Sequence, residues 1–232
     1  MCGRYTIIAK AEEIEKRFEV EVPQHYTPRY NAAPTQLLPV ITNEHPEKLS
    51  FYHWGLVPSW YSETENPAKL INARLETIVE KPSFAAAFKS RRCLVISDGF
   101  YEWKRMTSKS KVPYRVFPKH KGLFAYAGLW EQYKNDDQTM LHSFAIITTE
   151  AKEATAHIHH RIPVILNPES EKTWLDHGLS AAEHLELLKS RQNSDLQYHP
   201  VSSLVNSIFN DDERLINPTP PSDQTGNYVL FS

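Results

Sequence analysis

The sequence predicts an α+β fold: one compact domain with a β-rich, antiparallel or barrel-like core and peripheral helices. Three observations predict it. Short runs of β-branched and aromatic residues dominate the 232-residue chain, helical stretches are interspersed among them, and no strand–helix unit repeats as a doubly wound fold would require. No Gly/Ser-rich linker divides the chain, so the domain is drawn over residues 1–210. A tail over 211–232 is expected to pack loosely, because Pro218, Pro220 and Pro221 crowd it and apolar periodicity fades.

The elements follow in order. CGRYTII reads as a strand that begins almost at the terminus and therefore places Cys2 on an ordered element. AEEIEKRF, with Ile14 and Phe18 four apart, suits a short amphipathic helix. A Pro-rich loop is expected from Pro23 to Pro39. LSFYHW reads as a strand, and WGLVPSW closes it with Gly55 and Pro58. Ser62 to Lys69 is polar and reads as a loop that delivers LINARLET. PSFAAAF opens a helix at Pro82. CLVISDGFYEW reads as strand, Asp-Gly turn, strand; on the second strand Tyr101 and Trp103 share one face, Phe100 and Glu102 the other. PYRVF, FAYAGLW and SFAIITT are further strands, EAKEATAHIHH reads as helical, and IPVIL as a short strand. Two helices follow, one introduced by Asn167 and Pro168, the other by Ser180 with Glu183 completing a capping box.

Composition narrows the function. No apolar segment is long enough to span a membrane, and MCGRYTIIAK lacks the basic region and apolar run of an export signal. A cytoplasmic or nucleoid-associated location is expected, nuclear in a eukaryote. Two cysteines, Cys2 and Cys93, are too few for a disulfide scaffold, and Cys93 within CLVI reads as a buried small hydrophobe. A formal net charge of −2 announces no global basic field. Nucleic-acid binding would need a local groove, for which Arg4, Arg29, Arg74, Arg91, Arg92 and Arg161 are candidates.

Cys2 carries the distinctive chemistry. Loss of Met1 would leave one residue with a free α-amine and a thiol, titrating at about 8 and about 8.5. An aldehyde meeting this pair forms an imine, which the thiol closes to a five-membered thiazolidine. The same terminus could instead attack an amide carbonyl, and an incidental second residue is the plainest alternative. Glu102, between Tyr101 and Trp103, is either a desolvated proton carrier or half of a structural ion pair. Asn72 offers a donor and an acceptor, for a sugar hydroxyl, the terminal amine, or a turn. His157, His159 and His160 raise a metal site as a rival, but no HExxH or paired-cysteine spacing accompanies them, so a proton shuttle is the better functional reading. Trp54, Trp60 and Tyr61 are either core or a stacking surface for single-stranded nucleic acid.

Together these residues resemble the SOS response-associated peptidase family of abasic-site-processing proteins. The resemblance lies in MCGRY (1–5), NAAPTQ (31–36), WGLVPSW (54–60), INARLET (71–77), SDGFYEW (97–103), HHRIPVIL (159–166) and VSSLVNS (201–207). Seven blocks in family order are far more specific than any one of them. The resemblance implies the fold above and covalent capture of abasic sites in single-stranded DNA by the mature terminal cysteine. It implies catalytic roles for Cys2, Asn72, Glu102 and His159, and DNA contacts from Gly3, Arg4, Trp60, Tyr61, Arg74 and Arg161. Self-removal of Met1 is a further implication; a carboxylate near an imine adds an expectation of weak lyase or reversal activity, the chemistry requires no metal or cofactor, and a monomer is expected. Ile162 stands where methionine is usual, a change of little volume. An N-terminal-nucleophile amidohydrolase and a noncatalytic single-stranded DNA binder remain the rivals.

Overall fold

The computed structural model describes residues 2–61, 70–120, 122–135, 137–151, 155–190 and 196–229. Its strands are β1 (Tyr5–Ile7), β2 (Arg29–Ala32), β3 (Leu37–Thr42), β4 (Ser50–Trp54), β5 (Asn72–Arg74), β6 (Arg92–Ser97) and β7 (Gly99–Arg105). They continue with β8 (Lys111–Pro118), β9 (Phe124–Lys134), β10 (Met140–Glu150), β11 (Arg161–Pro163), β12 (Ile165–Leu166) and β13 (Leu196–Pro200). The helices are α1 (Ala11–Phe18), α2 (Pro82–Ser90), α3 (Pro168–Leu175) and α4 (Ala181–Lys189).

Five strands close a barrel. β4–β3, β3–β6, β6–β9 and β9–β10 pair antiparallel, and a parallel β10–β4 contact completes the ring. Closure leaves no unpaired edge among these strands. The interior is aromatic, with Trp54 stacked on Phe144 and Tyr5 edge-on to Trp54 at 5.2 Å between centroids. β10 runs past the ring, and its far half takes β5 in parallel and β11 in antiparallel register, opposing Thr148 to Arg74 and Glu150 to Arg161. A second antiparallel sheet, ordered β13-β8-β7-β1-β2, lies beside the barrel. β-Rich α+β architecture with peripheral helices is therefore what the strand pattern predicts and what the chain adopts.

Three local readings are corrected, and one strand is added. β6 and β7 do not pair with each other, so Ser97-Asp98-Gly99 is a crossing between sheets and no hairpin. Asp98 is held there by the Arg115 guanidinium at 2.9 Å, and a Cβ on Gly99 would come within 2.9 Å of that guanidinium. Close approach demands this glycine, not a turn conformation. The Pro23–Pro39 stretch contains β2 and the first half of β3; Pro39 is tolerated because β3 meets β6 only from Val40 onward, so its missing N–H falls outside that ladder. Thr155–Ile158 forms a single turn in which Ile158 and His159 both donate to the Thr155 carbonyl, in place of the expected helix; residues 152–154 lie outside the described residues. β13 was not legible as a strand; it is held by its pairing along β8. The polar stretch from Ser62 to Lys69 also lies outside the described residues.

Both C-terminal helices start as their caps dictate, with Asn167 accepting from Ser170 and a full capping box between Ser180 and Glu183. Beyond residue 210, Asp211 accepts from the backbone N–H groups of Tyr30 and Asn31 and pairs with Arg29 at 2.6 Å. Leu215 is fully buried, whereas Tyr228 is exposed. No helix among the described residues is long and apolar enough to cross a membrane.

Candidate active site

The N-terminal segment lies where the second sheet meets the flank of the barrel. β1 pairs with β7 through Tyr5 and Phe100, which carries the residues just before Tyr5 past the Glu102 face of β7. Cys2 is completely buried. Its thiol is pushed well above the ordinary range by burial and by the neighbouring Glu102 charge. The Asn72 side-chain amide, at the start of β5, donates to the Cys2 carbonyl at 2.9 Å. Its other end, Oδ1, is buried and has no hydrogen-bond partner among the described residues. An orphaned acceptor beside the Cys2 backbone suits a donor that arrives with a ligand or with a new amino terminus.

Glu102 is 3% exposed, and burial raises its pKa to about 7. His159 Nδ1 lies 4.0 Å from Glu102 Oε2. That approach is no ion pair at neutral pH, because burial lowers the imidazole to about 4. His159 Nδ1 lies 3.0 Å from the Arg161 backbone nitrogen and 3.1 Å from the Arg161 carbonyl oxygen, so the Arg161 backbone holds this side of the ring. Of this pair, the group that titrates near neutrality is thus the Glu102 carboxyl and not His159. Cys2, Asn72, Glu102 and His159, spread over 158 positions of sequence, converge on one place. His160 packs its ring on that of His159 at 4.4 Å, while His157 turns to Tyr198. Among the described residues no three His, Cys, Asp or Glu groups gather as metal ligands.

The arginines divide into three kinds. Arg4 donates to Asn31 Oδ1 at 2.8 Å and to the Val205 and Asn206 carbonyls, all neutral acceptors, so its charge is positioned without an ion pair among the described residues. Arg74 is exposed and makes no ion pair among the described residues. Arg161 is 7% exposed and tied to Glu76 at 3.0 Å and to Thr148. It builds the wall of the site more than it presents a charge. The other groove candidates are structural: Arg29 pairs with Asp211, Arg91 with Glu131, and Arg92 is buried against four backbone carbonyls. Gly3 is half-buried between Cys2 and Arg4. Trp60 is 55% exposed, and Tyr61 meets Tyr133 edge-on. Trp54, by contrast, is core.

Sequence reasoning does not single out Asn31, which is fully buried and shares its amide among the Val205, Ser207 and Asn210 carbonyls while receiving Arg4. The NAAP block was its only signal. Trp103 is likewise tied to the same loop, donating to Asn206 Oδ1 at 2.8 Å.

Comparison with known proteins identifies the family. The family model described as SOS response associated peptidase (SRAP) matches residues 1–208. Abasic site processing protein YoqW of Bacillus subtilis (strain 168) is 40% identical, over 93% of this chain and 99% of its own. Abasic site processing protein HMCES of Xenopus tropicalis is 34% identical, over 90% of this chain and 76% of its own. A crystal structure of a Bacteroides thetaiotaomicron protein superposes with a TM-score of 0.85 at 29% identity, covering 94% of this chain and all of that one. The chain belongs to the SOS response associated peptidase family.

Proposed function

We propose that this protein captures abasic sites in single-stranded DNA as a thiazolidine on Cys2, after removal of Met1. The observation that carries the reading is the convergence of Asn72, Glu102 and His159 on the Cys2 backbone, with the carboxyl poised near neutral pH. The names of the relatives point to the same lesion.

The chemistry follows from the charge states. Burial holds the Cys2 thiol protonated, so the α-amine attacks the ring-opened aldehyde first. Protonated Glu102 donates to the carbinolamine hydroxyl, which leaves as water and gives the imine. Ionised Glu102 then takes the thiol proton as sulfur adds to the carbon of the protonated imine, whose C=N electron pair returns to the nitrogen as the ring closes. The balance is aldehyde plus aminothiol to thiazolidine plus one water. Neutral His159 exchanges protons during sugar-ring opening through Nε2. Glu102 serves Met1 removal too, by activating water against the Met1–Cys2 amide. Proton removal next to the imine gives weak lyase activity, and reversal of ring closure releases the DNA. Arg4 and Arg74 hold phosphates, Gly3 lets the strand approach, Trp60 and Tyr61 stack bases, and Arg161 fixes the His159 turn. The protein acts as a monomer.

Intact mass after incubation with single-stranded DNA bearing one abasic site tests this. A species equal to the Met1-lacking protein plus DNA minus one water is expected, absent with undamaged DNA and with Cys2→Ala. Its absence while binding persists would favour a noncatalytic binder, and release of an amine from amide substrates would favour an amidohydrolase.

A further inference from the structure

The most exposed aromatic side chain of the described residues is Phe209, 91% accessible, with Ile208 and Leu204 beside it at 45% and 44%. Exposure of this kind usually accompanies a loose loop. Here the loop is over-determined. Asn31 bonds three of its carbonyls, Asn210 Nδ2 returns to the Leu204 carbonyl at 2.8 Å, and Ser202 caps the turn by accepting from Leu204. The same loop holds Arg4 through the Val205 and Asn206 carbonyls, two residues from Cys2, and holds Trp103 next to Glu102. A rigid segment that fixes an arginine with no ion pair among the described residues beside the reactive cysteine, and also presents three apolar side chains to water, is built to meet something at that place.

We infer that the Leu204–Phe209 loop is a stacking platform for a base next to the abasic nucleotide, with Phe209 as the ring. The occupant follows from continuity with Arg4: the positive charge suits the phosphate, and a flat apolar surface beside it suits the adjoining base. Three side chains are too small a patch for a stable protein interface. The inference rests on the abasic-DNA reading but is tested apart from it, because stacking is also available to undamaged strands.

Binding of a fluorescent undamaged single-stranded oligonucleotide is measured by anisotropy for the parent, Phe209→Ala, Phe209→Leu and Phe209→Trp, alongside crosslinking of an abasic strand and sedimentation of the free proteins. Phe209→Ala should weaken binding by about 5- to 150-fold, the range for losing one stacked base. Phe209→Trp should bind within about twofold of the parent, and Phe209→Leu should resemble alanine. The exposed position makes misfolding no confounder, and unchanged melting checks that. Equal binding by Phe209→Ala overturns the platform, as does full recovery with leucine, which would make the surface merely apolar. A parent dimer that Phe209→Ala dissociates, with DNA binding unchanged, overturns it in favour of self-association. Failure of the parent to crosslink, with Phe209→Ala still weakening binding, defeats the capture reading and leaves the platform standing.

Discussion

Asn72 donates its side-chain amide to the carbonyl of Cys2 across 2.9 Å, and its own Oδ1 is buried with no donor to it among the described residues. The bond fixes the Cys2 carbonyl and with it the backbone that carries the thiol. Asn72→Ala removes one neutral hydrogen bond, worth about 0.5–1.5 kcal/mol, so single-turnover crosslinking should slow by about 2- to 12-fold. Asn72→Asp should slow it more at neutral pH, because a carboxylate only accepts and would face the Cys2 carbonyl. Crosslinking rates with abasic DNA measured for both variants decide it: an aspartate variant as fast as the parent means the bond orients nothing.

Glu102 and His159 are shifted in opposite directions, and this has a sign that stability can read. Glu102 titrates at about 7 in the fold against an ordinary carboxyl value of 4.5, so its contribution is complete below 4.5 and is lost as pH rises through 7. His159 titrates at about 4 against 6.5, so its contribution is present above 6.5 and lost as pH falls through 4. Between pH 4.5 and 6.5 the two oppose each other. Relative to the parent, the stability of Glu102→Gln should therefore rise with pH over that window, and that of His159→Gln should fall. Urea denaturation at several pH values measures both; parallel curves for all three proteins would mean that neither pKa is displaced.

What the sequence made legible was what is local. Caps at Asn167 and Ser180, the helix at Pro82 and the alternation that separates Glu102 from Tyr101 are short-range features, and each is found in the structure. Cys2 and Glu102 stood out because their chemistry is unusual for their surroundings. Partnership was not legible. Arg91 and Arg92 look alike in sequence, yet one pairs with Glu131 and the other is sealed beneath α3 against the Trp174 and Asp176 carbonyls. Pro39 hid a barrel strand because the ladder that tolerates it is set by β6, more than fifty positions away. Asn31 hid for the same reason: its acceptors lie in residues 205–210.

Arg74 and Arg161 should separate binding from architecture. Arg74 is exposed without an ion pair among the described residues, so Arg74→Ala should leave the melting temperature unchanged and reduce the salt slope of single-stranded DNA binding by about 0.7. Arg161 is buried on Glu76 and Thr148, so Arg161→Met should cost about 2 kcal/mol or more of folding stability. Melting and binding titrations at three salt concentrations check the pair. A stable Arg161→Met protein with a reduced slope would instead make Arg161 a phosphate contact.

Arg92 makes the strongest case for a charge spent wholly on the fold. It is 1% exposed and donates to the Trp174, Lys89 and Asp176 carbonyls at 2.8–2.9 Å, and more weakly to that of Phe88, joining the end of α2 to the end of α3. Arg92→Met keeps volume but strands buried acceptors, each costing about 1–3 kcal/mol, so the loss should exceed about 3 kcal/mol. Lysine should not rescue it, since one ammonium cannot span carbonyls on two helices. DNA affinity measured well below the transition temperature should stay at the parent value, because the side chain has no exposed face. Weaker binding by folded Arg92→Met would return this arginine to the groove.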